Sequence, residues 1–125
     1  MTPKTLDEWK QGREDMNAGI MENANRNIKR FFNLDTNAYK EGALSAKTKE
    51  LLGLVASMVL RCDDCITYHI IQSVMTGASD EELYETFNIA LIVGGSIVIP
   101  HLRRAAERLK ECRQIQQTNP EELQL

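Results

Sequence analysis

The chain has 125 residues, 42% of them hydrophobic and 26% charged, with a net charge of −3. Those totals fit one domain of ordinary size, spanning 1–125, with a modest core for which burial between subunits is a natural supplement. Acids and bases are interspersed, which argues against the basic stripe of a nucleic-acid footprint. The N-terminal run from Met1 to Glu8 is polar where a secretory segment would be apolar, and the apolar stretch from Ile89 to Pro100 is interrupted by Gly94, Gly95 and Ser96. A span needs roughly 20 apolar residues, so the expectation is a cytoplasmic protein without membrane or nucleic-acid partners. In that compartment a CxxC points to redox work or metal binding rather than to a structural disulfide framework.

The periodicity is helical almost throughout. Thr5 and Glu8 have capping-box spacing, and Trp9, Met16, Ile20, Ile28 and Phe31 follow at roughly helical intervals, predicting one long first helix with Gly12 and Gly19 as its weak points. Residues 33–42 read as a loop or a short helical turn ending at a glycine. Ser45 predicts the N-cap of a second long helix to about Leu60, whose broad apolar face (Leu51, Leu52, Leu54, Val55, Met58, Val59) suits burial on more than one side. A third helix runs from near Cys62 to about Thr76, with Ile66, Ile70 and Val74 inward and Gly77 as its stop. Ser79 and Glu82 repeat the capping-box spacing and open a fourth helix, with Leu83, Phe87, Ala90 and Leu91 inward. Gly94-Gly95 breaks or kinks the chain, or lets another backbone approach. Pro100 falls inside the run from Ile97 to about Cys112, tolerated in a first helical turn and a kink if deeper, and a loose polar tail starts at about Gln114. No segment alternates with period two, so the fold class is all-α, a compact multi-helix domain.

Chemistry concentrates at Cys62-Asp63-Asp64-Cys65 and His69. Offsets of three and four share one helix face, so Cys62, Cys65 and His69 form a stripe able to make and break a disulfide. Cys62, at the helix start, sits among unsatisfied backbone N–H groups that favour a thiolate, and is expected to be the more exposed cysteine. Asp63 and Asp64 oppose the thiolate by their charge, so a proton relay is needed, and His69 is the nearest candidate. Glu50, twelve positions before Cys62, reaches His69 if the two helices pack antiparallel; alone it would read as a solvated surface charge. Zinc is the rival, with Cys62, Cys65, His69 and Glu50 as four available ligands, but a second Cys or His pair from another segment is missing. His101 reads as a capping or surface residue unless folding or another subunit brings it in. Cys112 reads as a spectator and Tyr68 as a packing residue. No cofactor fingerprint is present, neither a GxGxxG after a strand nor a phosphate-binding loop.

The runs Leu44-Ser45-Ala46-Lys47-Thr48-Lys49-Glu50-Leu51-Leu52, Cys62 to His69, Gly77 to Leu83 and Gly94-Gly95 resemble the carboxymuconolactone decarboxylase family, and within it the alkylhydroperoxidase-D-like branch, over roughly Leu44 to Arg104. The resemblance implies an all-α fold around a helical hairpin, a homo-oligomer (trimer or hexamer), and peroxidase or disulfide-reductase chemistry on a peroxide or disulfide substrate with a thiol reductant. It gives Cys62 and Cys65 the role of redox pair, and His69 and Glu50 that of proton relay. Asp64 stands where that branch has a second histidine. Two other functions compete: a decarboxylase- or lactone-type acid–base enzyme using His69 and Glu50 with incidental cysteines, and a non-catalytic oligomeric protein, with or without zinc.

Overall fold

The computed structural model describes residues 4–125; Met1, Thr2 and Pro3 of the polar N-terminal run lie outside the described residues. Six α-helices and no strand occur among the described residues, so the fold is all-α. The described chain divides into two compact units, residues 4–40 with Leu125, and residues 41–124.

The first unit holds α1 (Leu6–Asn23) and α2 (Arg26–Ala38). Thr5 caps α1 as expected, its Oγ1 accepting the Glu8 N–H at 3.2 Å. The single long helix does not form. Gly12 and Gly19 are tolerated inside α1, and the break falls at Ala24 and Asn25, where the Asn25 side chain accepts the Ile28 N–H at 2.9 Å and starts a new helix. Asparagine offers the backbone this local alternative and competes with helix continuation. Residues 33–38, expected as a loop or a short helical turn, are helical and complete α2.

The second unit is built on the hairpin of α3 (Ala46–Val59) and α4 (Asp63–Met75), with α5 (Asp80–Gly94) packed on α3 and α6 (Ile99–Thr118) packed on α4. Leu54, Met58, Ile66, Ile70, Val74, Leu83, Phe87 and Ala90 fill the core between them. Two-sided burial of α3 is incomplete, since Leu52 stays exposed. Ser45 and Ser79 cap α3 and α5. At α5 both arms of the capping box are made, Glu82 accepting the Ser79 N–H in return. That bond, and then Lys47 at 2.9 Å, hold the Glu82 carboxyl below its ordinary range.

The α3–α4 turn fixes the site. Cys62 N–H donates to Ser57 O and Arg61 N–H to Met58 O, both at 3.0 Å, the double closure of a Schellman motif. Its left-handed position, usually glycine, is occupied by Arg61 at φ 61°. The same motif closes α4, where Gly77 takes the left-handed position as the sequence suggests. Pro100 lies in the first turn of α6. The loose tail is not observed: α6 continues to Thr118, and a 3₁₀ turn, Pro120–Leu123, packs back on α6 with Leu123 buried.

Candidate active site

Cys62 is at once the residue that closes α3 and the N-cap of α4, its Sγ accepting the Cys65 N–H at 3.2 Å. The two cysteines, with Cα atoms 5.3 Å apart, form a disulfide. Their exposure is the reverse of the sequence expectation: Cys65 is exposed and Cys62 is half-buried. The backbone tie to Ser57 draws Cys62 towards the last turn of α3, whereas Cys65 lies one turn into α4.

His69 follows one turn after Cys65 and is buried. Its Nδ1 lies 2.9 Å from Oε2 of Glu50, which is also buried. The sequence places these residues 19 apart; antiparallel packing of α3 on α4 brings them together. An ionised Glu50 takes the Nδ1 proton as acceptor, which leaves Nε2 as the basic nitrogen of a neutral imidazole. The ring of Tyr68 meets that of His69 edge-on, with centroids 5.2 Å apart.

Gly53 is a site residue that the sequence did not single out. A Cβ at this position would lie 2.6 Å from His69 Cε1 and 2.8 Å from Nε2. The absence of a side chain is therefore what seats the imidazole against α3. The available signal was a glycine one turn after Glu50 on the helix face turned to the hairpin partner.

His101 does enter this region. Its Nδ1 lies 2.8 Å from Asp63 Oδ1, while Arg104 Nε donates to Asp63 Oδ2 at 3.0 Å. Arg104 Nη2 also lies 3.2 Å from His101 Nδ1. Only one of the two contacts at Nδ1 is a hydrogen bond in any one tautomer, because arginine only donates. With Nδ1–H donating to Asp63, the guanidinium beside it is a close electrostatic neighbour. Asp63 is thus countered from α6, and its opposition to a nearby thiolate is reduced.

Cys112 is fully buried in α6; burial, and next the charge of Glu111, push its thiol up to about 12. Ser73, one turn beyond His69, carries a buried hydroxyl without a hydrogen-bond partner. Among the described residues, no three His, Cys, Asp or Glu side chains are placed to ligate one ion. A cavity of about 460 Å³ lies elsewhere, between α5 and α6, lined by Tyr84, Lys110 and Arg113 among others.

Comparison with known proteins agrees with this architecture. The sequence model of the carboxymuconolactone decarboxylase family matches residues 27–108. A crystal structure of a family member from Thermotoga maritima, whose description raises involvement in an antioxidative response, is 52% identical, covers 94% of this chain and 98% of its own, and superposes with a TM-score of 0.87. A family member from Legionella pneumophila is 30% identical over 84% of this chain and 96% of its own, with a TM-score of 0.75. An uncharacterised protein of Cupriavidus necator is 34% identical over 58 residues, which is 46% of this chain and 51% of that protein; the chain thus spans about half the length of that curated relative. The helical hairpin, its cysteine pair and the extent of these matches place the chain in the carboxymuconolactone decarboxylase family.

Proposed function

We propose that the protein is a thiol-dependent peroxidase or disulfide reductase of the alkylhydroperoxidase-D-like kind, working without a bound cofactor. The observation that carries this reading is the buried Glu50–His69 pair one turn from Cys65, which is itself joined to Cys62. The antioxidative response raised for the Thermotoga maritima relative points the same way.

Starting from the reduced pair, His69 Nε2 takes the proton of Cys65, and Glu50 stabilises the imidazolium through Nδ1–H. Cys65 is assigned the attacking role because it is the exposed cysteine and stands one turn before His69. Its thiolate attacks the terminal oxygen of a hydroperoxide. The S–O bond forms, the O–O bond breaks, and the alkoxide leaves as an alcohol with the proton returned by His69. Cys62 then displaces hydroxide from the sulfenic acid; water leaves and the Cys62–Cys65 disulfide forms. An external thiol reductant restores both thiols by exchange. With a disulfide substrate, the same thiolate forms a mixed disulfide that Cys62 resolves.

A homo-oligomer, as a trimer or hexamer, is part of the proposal. It is supported by the exposed apolar residues Ile89, Ile92 and Val93 of α5 and Ile97 just after it, together with the family resemblance. A cytoplasmic setting accords with a redox-active CxxC; among the described residues no helix is long and apolar enough to cross a membrane.

The test is peroxide consumption with dithiothreitol as reductant, for the wild type and for Cys62→Ser and Cys65→Ser, with mass spectrometry after mild peroxide exposure. Both variants lose turnover, and the wild type forms a reversible Cys62–Cys65 link while Cys112 stays reduced. Turnover that survives both substitutions overturns the redox reading; activity on a lactone acid that survives them moves the assignment to acid–base chemistry by His69 and Glu50.

A further inference from the structure

The carboxylate of Asp63 lies within the CxxC, and both of its oxygens are engaged by α6. Residue 63 is the first of α4, directly after Cys62 and two positions before Cys65. Chain adjacency keeps a charge there close to both cysteines. The charged and titratable groups of this part of the fold are Arg61 in the preceding turn, Asp64 and His69 on α4, Glu50 on α3 paired to His69, and His101 and Arg104 on α6. Among these, the contacts to Asp63 come from the two basic residues of α6, which lie 38 and 41 positions away in the chain. Neither belongs to the Glu50–His69 relay, yet both converge on the one acidic residue adjoining Cys62. A surface ion pair alone contributes little to stability, so the consequence of this cluster falls on the neighbouring sulfurs.

We propose that Asp63, His101 and Arg104 form an electrostatic tuning cluster that sets the acidity and reducibility of the CxxC thiols, with His101 and Arg104 acting as positioning residues through Asp63. The carboxylate opposes the thiolate and the α6 cation offsets it. With Asp63 intact and its counter-charge removed, the thiolate is less stable and the disulfide is harder to reduce. With Asp63 neutralised, the charge of Arg104 is no longer offset by that carboxylate, and the thiolate is more stable. The inference rests on the CxxC being a redox pair, but its test needs no peroxide.

The experiment is the pH dependence of iodoacetamide alkylation of the reduced full-length protein, read site by site by mass spectrometry, at low and high salt. Arg104→Gln moves the midpoint up by about half a pH unit and Asp63→Asn moves it down by about as much, an opposite charge at short range being discounted for partial exposure. Arg104→Lys, which keeps the charge, stays near the wild type, and the Asp63→Asn/Arg104→Gln double variant returns towards it. The shifts shrink in high salt. In a glutathione redox buffer the reduced share falls for Arg104→Gln. A merely structural role would move both single variants in the same direction, and that outcome, or no movement in either, overturns the proposal. If Asp63→Asn fails to fold, the contrast between Arg104→Gln and Arg104→Lys decides alone: equal midpoints overturn it. Loss of peroxidase activity with the midpoint shifts intact would count against the proposed reaction and not against this cluster.

Discussion

His69 Nδ1 lies 2.9 Å from Oε2 of Glu50 across the α3–α4 hairpin, with both side chains buried. Through this pair α3, which carries no cysteine, supplies a carboxylate to the proposed chemistry. Glu50→Gln keeps the shape and a hydrogen bond but removes the charge that fixes the tautomer. Peroxide turnover falls by on the order of 10²-fold, the low end for general acid–base catalysis, while the far-ultraviolet spectrum is unchanged. Steady-state assays with dithiothreitol check this.

Gly53→Ala tests the notch beneath the imidazole. Alanine improves helix propensity by about 1 kcal/mol, but overpacking costs about 1–3 kcal/mol, and the new Cβ lies 2.6 Å from His69 Cε1. The net effect is destabilisation with loss of turnover. In the His69→Ala background the same change becomes neutral or stabilising, and urea unfolding of the double-mutant cycle measures that reversal.

Arg61→Gly removes the cost of a left-handed arginine. Holding an L-residue there costs about 1–2 kcal/mol, and the greater freedom of glycine in the unfolded chain takes back about 0.4–1 kcal/mol. The expected gain is about 0.5–1 kcal/mol, read as a higher urea midpoint at unchanged slope.

Cys112 stays silent to thiol reagents in the reduced native protein while Cys62 and Cys65 react, and it labels only on unfolding. Its thiol is raised from 9.0 to about 12, mainly by burial. The unfolded chain therefore releases this proton first, so stability falls as pH rises from about 9 to about 12. Cys112→Ala flattens that slope whatever its effect on stability at neutral pH, and unfolding at pH 8 and pH 10 measures the difference.

Elements marked by local chemistry were legible in the sequence. Thr5, Ser45 and Ser79 cap where their side chains dictate, and Gly77 stops α4. The cysteine–histidine stripe follows from helical spacing alone, and Glu50 reaches it once two helices with a short turn are laid antiparallel. What escaped was set by packing or by a weaker local competitor. Asn25 ended α1 where no glycine did. Leu123 folded back a tail whose composition reads as solvated. Gly53 reads in a helix only as a propensity cost, its role arising from what lies opposite. His101 meets Asp63 through the packing of α6 on α4, which no spacing rule encodes.

The double role of Cys62 decides how substitutions there must be interpreted. Its backbone N–H finishes one helix and its sulfur begins the next. Alanine at this position would delete the redox atom and the N-cap together, the second loss being worth about 1 kcal/mol, so an inactive Cys62→Ala protein would confound failed chemistry with a frayed α4. Serine keeps an acceptor for the Cys65 N–H and separates the two. At Cys65, whose side chain caps neither helix, alanine and serine should be interchangeable as probes. The informative comparison is therefore between the two alanine variants: equal loss of turnover with unequal loss of stability is the signature of a residue that is reagent and hinge pin at once.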